Sequence, residues 1–150
     1  MLREAIIPQA VFGQVTELNM VSALYVVLGA LLLIKLSVDV VKLRMQYRVA
    51  YGDGGFYELQ TAIRVHGNAV EYIPIGAILL VLMEMNGAIA AMLHLCGMLL
   101  IVGRLFHYYG LRQREFRWRR SGMAATYASL ILMSLANLYY LPWEMVFTLY

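Results

Sequence analysis

The sequence contains little that would support a disulfide, a metal centre or a phosphate-binding loop. Cys96 is the single cysteine among 150 residues, which excludes an intrachain disulfide and a CxxC redox or metal motif. The histidines at positions 66, 94 and 107 show neither an HExxH pattern nor a clustered spacing, so we predict no bound metal. No GxxxxGK pattern is present, and the glycines of residues 52–55 therefore indicate a turn.

Charged side chains are also scarce. They make up 14% of the chain, whereas 62% of its residues are hydrophobic. A soluble domain of this size would expose more charge. Apolar runs of about twenty residues recur, the length that a helix needs to cross a hydrocarbon core of about 30 Å. The sequence therefore predicts an all-α integral membrane protein. Its basic residues lie beside the spans, where they set topology, and we do not expect nucleic-acid binding.

Four apolar segments are long enough to span a membrane, and we predict that they form one four-helix bundle. Residues 20–150 would then be a single membrane domain. Residues 1–19 do not make a convincing signal peptide, because their apolar stretch is interrupted and no small-residue cleavage site follows. We interpret them as an N-terminal extension, unless Met20 is the true start of the protein. The predicted spans are residues 21–43, 59–85, 88–109 and 122–141.

The basic residues of the connectors predict an orientation in the membrane. The first and third connectors carry nearly all the connector arginines, whereas the second connector is short and acidic. By the positive-inside rule, the first and third connectors are cytoplasmic and both termini lie outside. The end of span one, the start of span two, the end of span three and the start of span four would then meet on the cytoplasmic side.

Span two begins with a polar motif that is unusual in a membrane helix. Arg64, Asn68 and Glu71 follow i, i+4 and i+7 and so share one face. Taking Leu59 as the entry, Arg64 lies roughly 8 Å and Glu71 roughly 18 Å into the bilayer. Ionisable residues at such depths are costly, so a binding function or a paired partner is the first hypothesis. The alternative is a polar seam that only holds the helices together.

A second polar motif ends span three. Arg104, His107 and Tyr108 follow i, i+3 and i+4 and share one face, and Tyr109 is adjacent. The unusual polar residues thus concentrate on the predicted cytoplasmic side, where the ends of all four spans meet. Structural polar groups alone would have no reason to concentrate there. The pattern therefore favours a binding site.

The residue types indicate what such a site would bind. Guanidinium groups hold carboxylates through paired hydrogen bonds. Asn68 and Glu71 add an amide partner and an acceptor for an ammonium group, and the two tyrosines offer hydroxyls and ring faces. A small zwitterionic peptide with surplus negative charge fits this set better than a metal or an apolar lipid. The candidate guanidiniums are those of Arg64, Arg104, Arg119 and Arg120.

Both motifs resemble signatures of the MAPEG family, the membrane-associated proteins of eicosanoid and glutathione metabolism, and especially its bacterial branch. The first motif is Arg64-x-His66-Gly67-Asn68-x-x-Glu71-x-x-Pro74, and the second is Gly103-Arg104-x-x-His107-x-Tyr109. The resemblance covers about residues 21–141. It implies a homotrimer of four-helix subunits, in the inner membrane if the protein is bacterial, with glutathione bound between neighbouring subunits near the cytoplasmic face.

The resemblance also implies roles for individual residues. In relatives an arginine stabilises the glutathione thiolate; here Arg120 is the best match, with Arg104 and Arg119 as competitors. The chain departs from some eukaryotic members at Gly67, where they carry a second basic residue, and at Leu111, near which they place a tyrosine. The implied glutathione contacts are Arg64, His66, Asn68, Glu71, His107, Tyr108, Tyr109, Arg119 and Ser121.

The implied reaction is thiol transfer, with glutathione as co-substrate. A guanidinium beside the sulfur lowers the pKa of the glutathione thiol, and the thiolate attacks a small apolar electrophile dissolved in the bilayer lipid. Peroxide reduction by the same thiolate is a close variant. Two alternatives stay open. One is a non-catalytic scaffold of the same fold that binds lipid or glutathione, and the other is a small transporter subunit, which the apolar outer halves of the spans disfavour.

Overall fold

The computed structural model describes residues 20–148, apart from the side chain of Met145. The predicted N-terminal extension, residues 1–19, lies outside the described residues. Every regular element within the described range is an α-helix. In chain order these helices are α1 (Val21–Tyr47), α2 (Tyr57–Met85), α3 (Ala90–Arg112), α4 (Phe116–Tyr140) and the short α5 (Trp143–Phe147).

The four long helices have the length and the apolar composition of membrane spans. Over windows of 18 residues, their mean hydropathy lies between 1.2 and 2.2. This confirms the prediction of an all-α membrane bundle with four spanning helices. Helix α4 begins at Phe116 rather than near residue 122, so Arg119 and Arg120 lie on the helix rather than in the connector before it.

Helices α2 and α3 form the centre of the bundle. Each packs against the other three long helices, whereas α1 and α4 do not contact each other within the described range. Because successive helices are joined by short connectors, they run antiparallel. Residues 48–56 and 113–115 therefore lie at one end of the bundle, which we call the basic end, and residues 86–89 lie at the opposite end.

Helices α3 and α4 approach closely because glycines line their contact. A Cβ atom added at Gly122 would meet the backbone of His107 and would lie 2.6 Å from the carbonyl oxygen of Gly103. A Cβ atom at Gly110 would collide with the backbone of Arg119. Small residues permit such backbone approach between membrane helices. The contact brings His107 and the start of α4 side by side at the basic end.

Polar side chains join the helices deeper in the bundle. The buried Ser129 hydroxyl on α4 donates to the carbonyl oxygen of Cys96 on α3, with 2.7 Å between the oxygens. The Asn137 amide on α4 donates to the carbonyl oxygen of Leu79 on α2 at 2.9 Å. Cys96 itself is a free, buried thiol in the apolar core, as expected for a small packing residue.

The N-terminus of α1 is capped by a side chain of another helix. The Glu84 carboxylate, near the end of α2, accepts hydrogen bonds from the backbone N–H groups of Val21 at 2.6 Å and Ser22 at 2.9 Å. First-turn N–H groups have no acceptor within their own helix, and α1 has no side-chain cap of its own. Glu84 thus links the N-terminus of α1 to α2 at the end of the bundle opposite to the basic end.

The glycine contact predicts a stability difference between two substitutions. Gly122→Ala inserts a methyl group between two backbones, and we expect it to lower the free energy of unfolding by about 1–3 kcal/mol. Gly67→Ala is the matched control, because an added Cβ there meets no atom within 4 Å. It should leave stability unchanged or raise it by up to about 1 kcal/mol. Unfolding in detergent measures both, and equal losses would contradict the assignment of the α3–α4 contact.

Candidate functional site

Arg104 is the buried centre of the polar region at the basic end. It is 3% exposed. Its Nε atom donates to Thr126 Oγ1 at 2.9 Å, its Nη1 atom to Asn68 Oδ1 at 2.6 Å, and its Nη2 atom to Met123 Sδ at 3.2 Å. The ring centroid of Tyr72 lies 5.0 Å from the guanidinium carbon. A buried guanidinium without such partners would be costly, so these contacts determine where Arg104 lies.

The bond from Arg104 orients Asn68. Because Asn68 Oδ1 accepts from Arg104, its Nδ2 atom is directed to Glu71 Oε2, at 3.4 Å. Glu71 is exposed, and no cationic group among the described residues lies within 4.0 Å of its carboxylate. A chain of hydrogen bonds therefore runs from a buried cation to an exposed carboxylate that is available to an ammonium group.

A cavity of about 230 Å³ opens beside this chain of hydrogen bonds. It lies among α2, α3 and α4, and we call it the α2–α4 cavity. Four of the residues singled out in the sequence line it: Arg64, Asn68, His107 and Arg119. Its remaining lining residues are Tyr57, Gln60, Thr61 and Leu111. Two guanidiniums, an imidazole and an amide therefore face one space, although they come from three helices.

The other seven predicted residues do not line this cavity. Arg104 and Glu71 are described above and the two tyrosines below, and the remaining three are Arg120, Ser121 and His66. Arg120 is exposed and faces a different side of α4 from Arg119, because successive helical residues are about 100° apart. The Ser121 hydroxyl donates to the carbonyl oxygen of Trp118 at 3.1 Å, within its own helix. His66 is half-buried on α2.

The same helical rotation separates the two predicted tyrosines from His107. The Tyr109 ring packs edge-on against Trp118, with the ring centroids 5.8 Å apart. Tyr108 faces α1, where its hydroxyl accepts a hydrogen bond from Lys35, and it accepts a second one from Arg112 of its own helix. Tyr108 thus lines another cavity, among α1, α2 and α3. The two polar motifs do form one layer at the basic end, but that layer contains two cavities.

The residues that hold Arg104 are not apparent from the sequence. Thr126 and Met123 lie within the apolar fourth span, and Tyr72 follows the polar motif of α2. A lone threonine in an apolar span is a weak signal, because such a hydroxyl can bond to its own helix. Thr126 does so too, since its hydroxyl donates to the carbonyl oxygen of Gly122 at 2.9 Å. Only the packing of α4 on α3 shows that Thr126 also accepts from Arg104.

The fold and the site together define a class of protein. Four membrane-spanning helices carry Arg64, Asn68 and Glu71 on the second helix and Arg104 and His107 on the third, which is the arrangement of the MAPEG motifs. The model of the MAPEG family matches residues 22–139, so this chain belongs to that family.

Two similar proteins come from Escherichia coli. They are the inner membrane protein YecN of strain K12 and the protein of the same name from strain O6:H1 (CFT073). Each is 70% identical to this chain over 130 residues, which are 87% of this chain and 99% of the relative. With four apolar helices and these relatives, the chain is a multi-pass inner membrane protein of the bacterial branch of the family.

The hydrogen bond between Arg104 and Thr126 can be tested by an isosteric change. Thr126→Val removes the acceptor of Arg104 Nε and leaves a buried charged donor unsatisfied. We expect it to lower the free energy of unfolding by about 1–3 kcal/mol. Ser134→Ala, at an exposed position of the same helix, is the control and should have no effect. Equal unfolding midpoints for both variants in detergent would show that Arg104 does not depend on Thr126.

Proposed function

We propose that this protein is a membrane-bound, glutathione-dependent transferase that stabilises the glutathione thiolate for attack on apolar electrophiles. The observation that carries the proposal is the convergence of Arg64, Asn68, His107 and Arg119 on the α2–α4 cavity. Membership of a family named for eicosanoid and glutathione metabolism supports the same function. The variant in which the thiolate reduces a peroxide would use the same groups.

The charges around the α2–α4 cavity complement glutathione, a tripeptide with two carboxylates and one ammonium group. Arg64 and Arg119 would bind carboxylates through charge-assisted hydrogen bonds. The exposed carboxylate of Glu71 would accept the ammonium group, and Asn68 would bond to a peptide group. Arg104 is the positioning residue in this proposal, because each of its three nitrogen atoms already donates a hydrogen bond within the subunit, to Thr126, Asn68 and the sulfur of Met123.

A neighbouring subunit would complete the site. The α2–α4 cavity of about 230 Å³ is smaller than the roughly 300–1,000 Å³ of most ligand pockets. Glu71 and Arg120, both exposed, stand outside it. Enclosure of these residues against another copy would add volume and exclude water. We therefore propose that glutathione lies between subunits. The resemblance to the MAPEG family implies that the assembly is a homotrimer, with membrane lipid around it.

Arg120 is the proposed thiolate contact, and Arg119 is its competitor because it already faces the α2–α4 cavity. A guanidinium beside the sulfur would favour the ionised thiol. A shift of two pKa units in bound glutathione would correspond to about 2.7 kcal/mol. The thiolate would then attack the electrophilic carbon, forming a sulfur–carbon bond as the leaving group departs with its electron pair. The bilayer would supply the apolar electrophile directly to the site.

Formation of the glutathione thiolate on the protein is the measurement that tests this function. Purified protein in detergent, titrated with glutathione at neutral pH, should show saturable ultraviolet absorbance of a thiolate. Arg120→Ala should reduce this signal and turnover by about 10–100-fold with a modest loss of binding, because one to two pKa units of stabilisation are lost. Arg117→Ala, an exposed change at the same end, is the control.

This titration also distinguishes Arg119 from Arg120 as the thiolate contact, and a transferase from a non-catalytic scaffold. If Arg119→Ala rather than Arg120→Ala removes the thiolate signal, Arg119 is the contact. If folded protein binds glutathione without forming any thiolate, the transferase proposal fails and the non-catalytic scaffold of the same fold replaces it.

Glu71 should contribute to the binding of glutathione rather than to the thiol-transfer step. Glu71→Ala removes the proposed acceptor of the ammonium group, and we expect the Kd for glutathione to rise about tenfold, the equivalent of about 1.4 kcal/mol. The turnover number at saturation should change little. Glu115→Ala, in the exposed connector at the same end, is the matched control. Loss of turnover without a change in Kd would contradict this role.

A further inference from the structure

A larger cavity lies beside the proposed glutathione site. It has a volume of about 520 Å³ and lies among α1, α2 and α3 at the basic end, and we call it the α1–α3 cavity. Its floor includes the buried apolar residues Leu36 and Val65. The charged and phenolic groups that line it are those of Asp39, Lys42, Tyr57, Glu58, Tyr108 and Arg112.

Two cations converge on one phenolic oxygen at this cavity. Lys35 Nζ and Arg112 Nη1 each donate to the Tyr108 hydroxyl oxygen at 2.5 Å. Lys35 Nζ also lies 4.0 Å from the centroid of the Tyr108 ring. A phenol has two lone pairs and one hydrogen, so both acceptor positions of Tyr108 are used and its O–H is left to donate. No side chain or carbonyl between residues 20 and 148 accepts that hydrogen.

The charges around the cavity do not cancel. Within the described range the only ion pair is Lys35 with Asp39, at 2.6 Å between Nζ and Oδ2. Arg112 has no carboxylate within 4.0 Å there, and the Glu58 carboxylate accepts a hydrogen bond from Tyr47. Lys42 and Arg112 line the cavity together with the carboxylates of Asp39 and Glu58. Lys35 is not a lining residue, but it bonds to Asp39 and Tyr108 and adds a third cation, so these five side chains together carry a surplus of one positive charge. The surplus matches one negative charge.

We infer that the α1–α3 cavity binds a phosphodiester, held by Lys35, Tyr108 and Arg112. Ammonium and guanidinium groups both form strong charge-assisted bonds to phosphate. The Tyr108 hydroxyl would donate its unused hydrogen to the same group. Three donors from two helices suit a tetrahedral oxyanion better than a planar carboxylate. A phosphodiester also carries one negative charge, which would balance the surplus positive charge. Its source is the headgroup of a membrane phospholipid or a water-soluble diester.

Lipid retention in detergent tests this inference. Delipidated protein is mixed with phosphatidylglycerol, and native mass spectrometry counts the lipid bound per chain. Arg112→Gln should weaken retention about tenfold, because a charge-assisted bond to the phosphate is lost. Arg117→Gln is the matched control: it removes the same charge at the same end, outside the cavity, and should retain lipid like the unsubstituted protein. Unfolding midpoints verify that both variants are folded.

The phenolic hydrogen is tested by a second matched pair. Tyr108→Phe keeps the ring and removes the hydroxyl, whereas Tyr109→Phe makes the same change on a ring that packs against Trp118. We expect weaker lipid retention for the first variant only. This comparison does not depend on glutathione chemistry, so it can succeed or fail separately from the proposed transferase.

Competitors identify the source of the phosphodiester. Displacement of phosphatidylglycerol by water-soluble glycerophosphoglycerol would establish binding of the diester itself, whereas retention of lipid alone would establish the headgroup as the ligand. Equal retention by the Arg112 and Arg117 variants would overturn the inference. Displacement by glutathione but not by any phosphate compound would also overturn it, because the α1–α3 cavity would then belong to the glutathione site.

Discussion

The buried charge of Arg104 is the constraint on which the polar end of this bundle depends. A guanidinium that is 3% exposed within a membrane helix needs hydrogen-bond partners, and the partners of its three nitrogen atoms come from α2 and α4. Satisfying it therefore ties three helices together. The same bonds set the direction of Asn68 and, through it, of the exposed Glu71 carboxylate. Arg104 therefore determines both the packing of these helices and the geometry of the site.

Glycine makes this arrangement possible. Because Gly103 and Gly122 let the backbones of α3 and α4 touch, Thr126 comes within hydrogen-bond distance of Arg104. With larger residues at the contact, α4 would stand further away and the guanidinium would lose an acceptor. Close approach between helices in lipid depends on small residues in this way, since apolar side chains gain nothing by leaving lipid for each other.

The two cavities at the basic end divide the polar residues according to helix geometry. One residue along α3 rotates a side chain by about 100°, so His107 faces α2 and α4 whereas Tyr108 faces α1. Residues that are neighbours in a motif can therefore serve different ligands. The cavity with His107 is the one for which we propose a peptide ligand, and the cavity with Tyr108 is the one for which we propose a phosphodiester.

Much of this protein could be predicted from the sequence, because lipid constrains composition strongly. Long apolar runs predicted four spanning helices, and the spacing of Arg64, Asn68 and Glu71 predicted a shared face. Polar residues that concentrate near one end predicted a polar layer there, and two motifs indicated the MAPEG family. The sequence did not indicate Thr126 as a partner of Arg104, the start of α4 at Phe116, or the separation of Tyr108 from His107. Those features depend on the distance between two packed helices and on the rotation of each helix about its axis. Backbone contacts across the bundle set both quantities, and residue spacing within one helix does not.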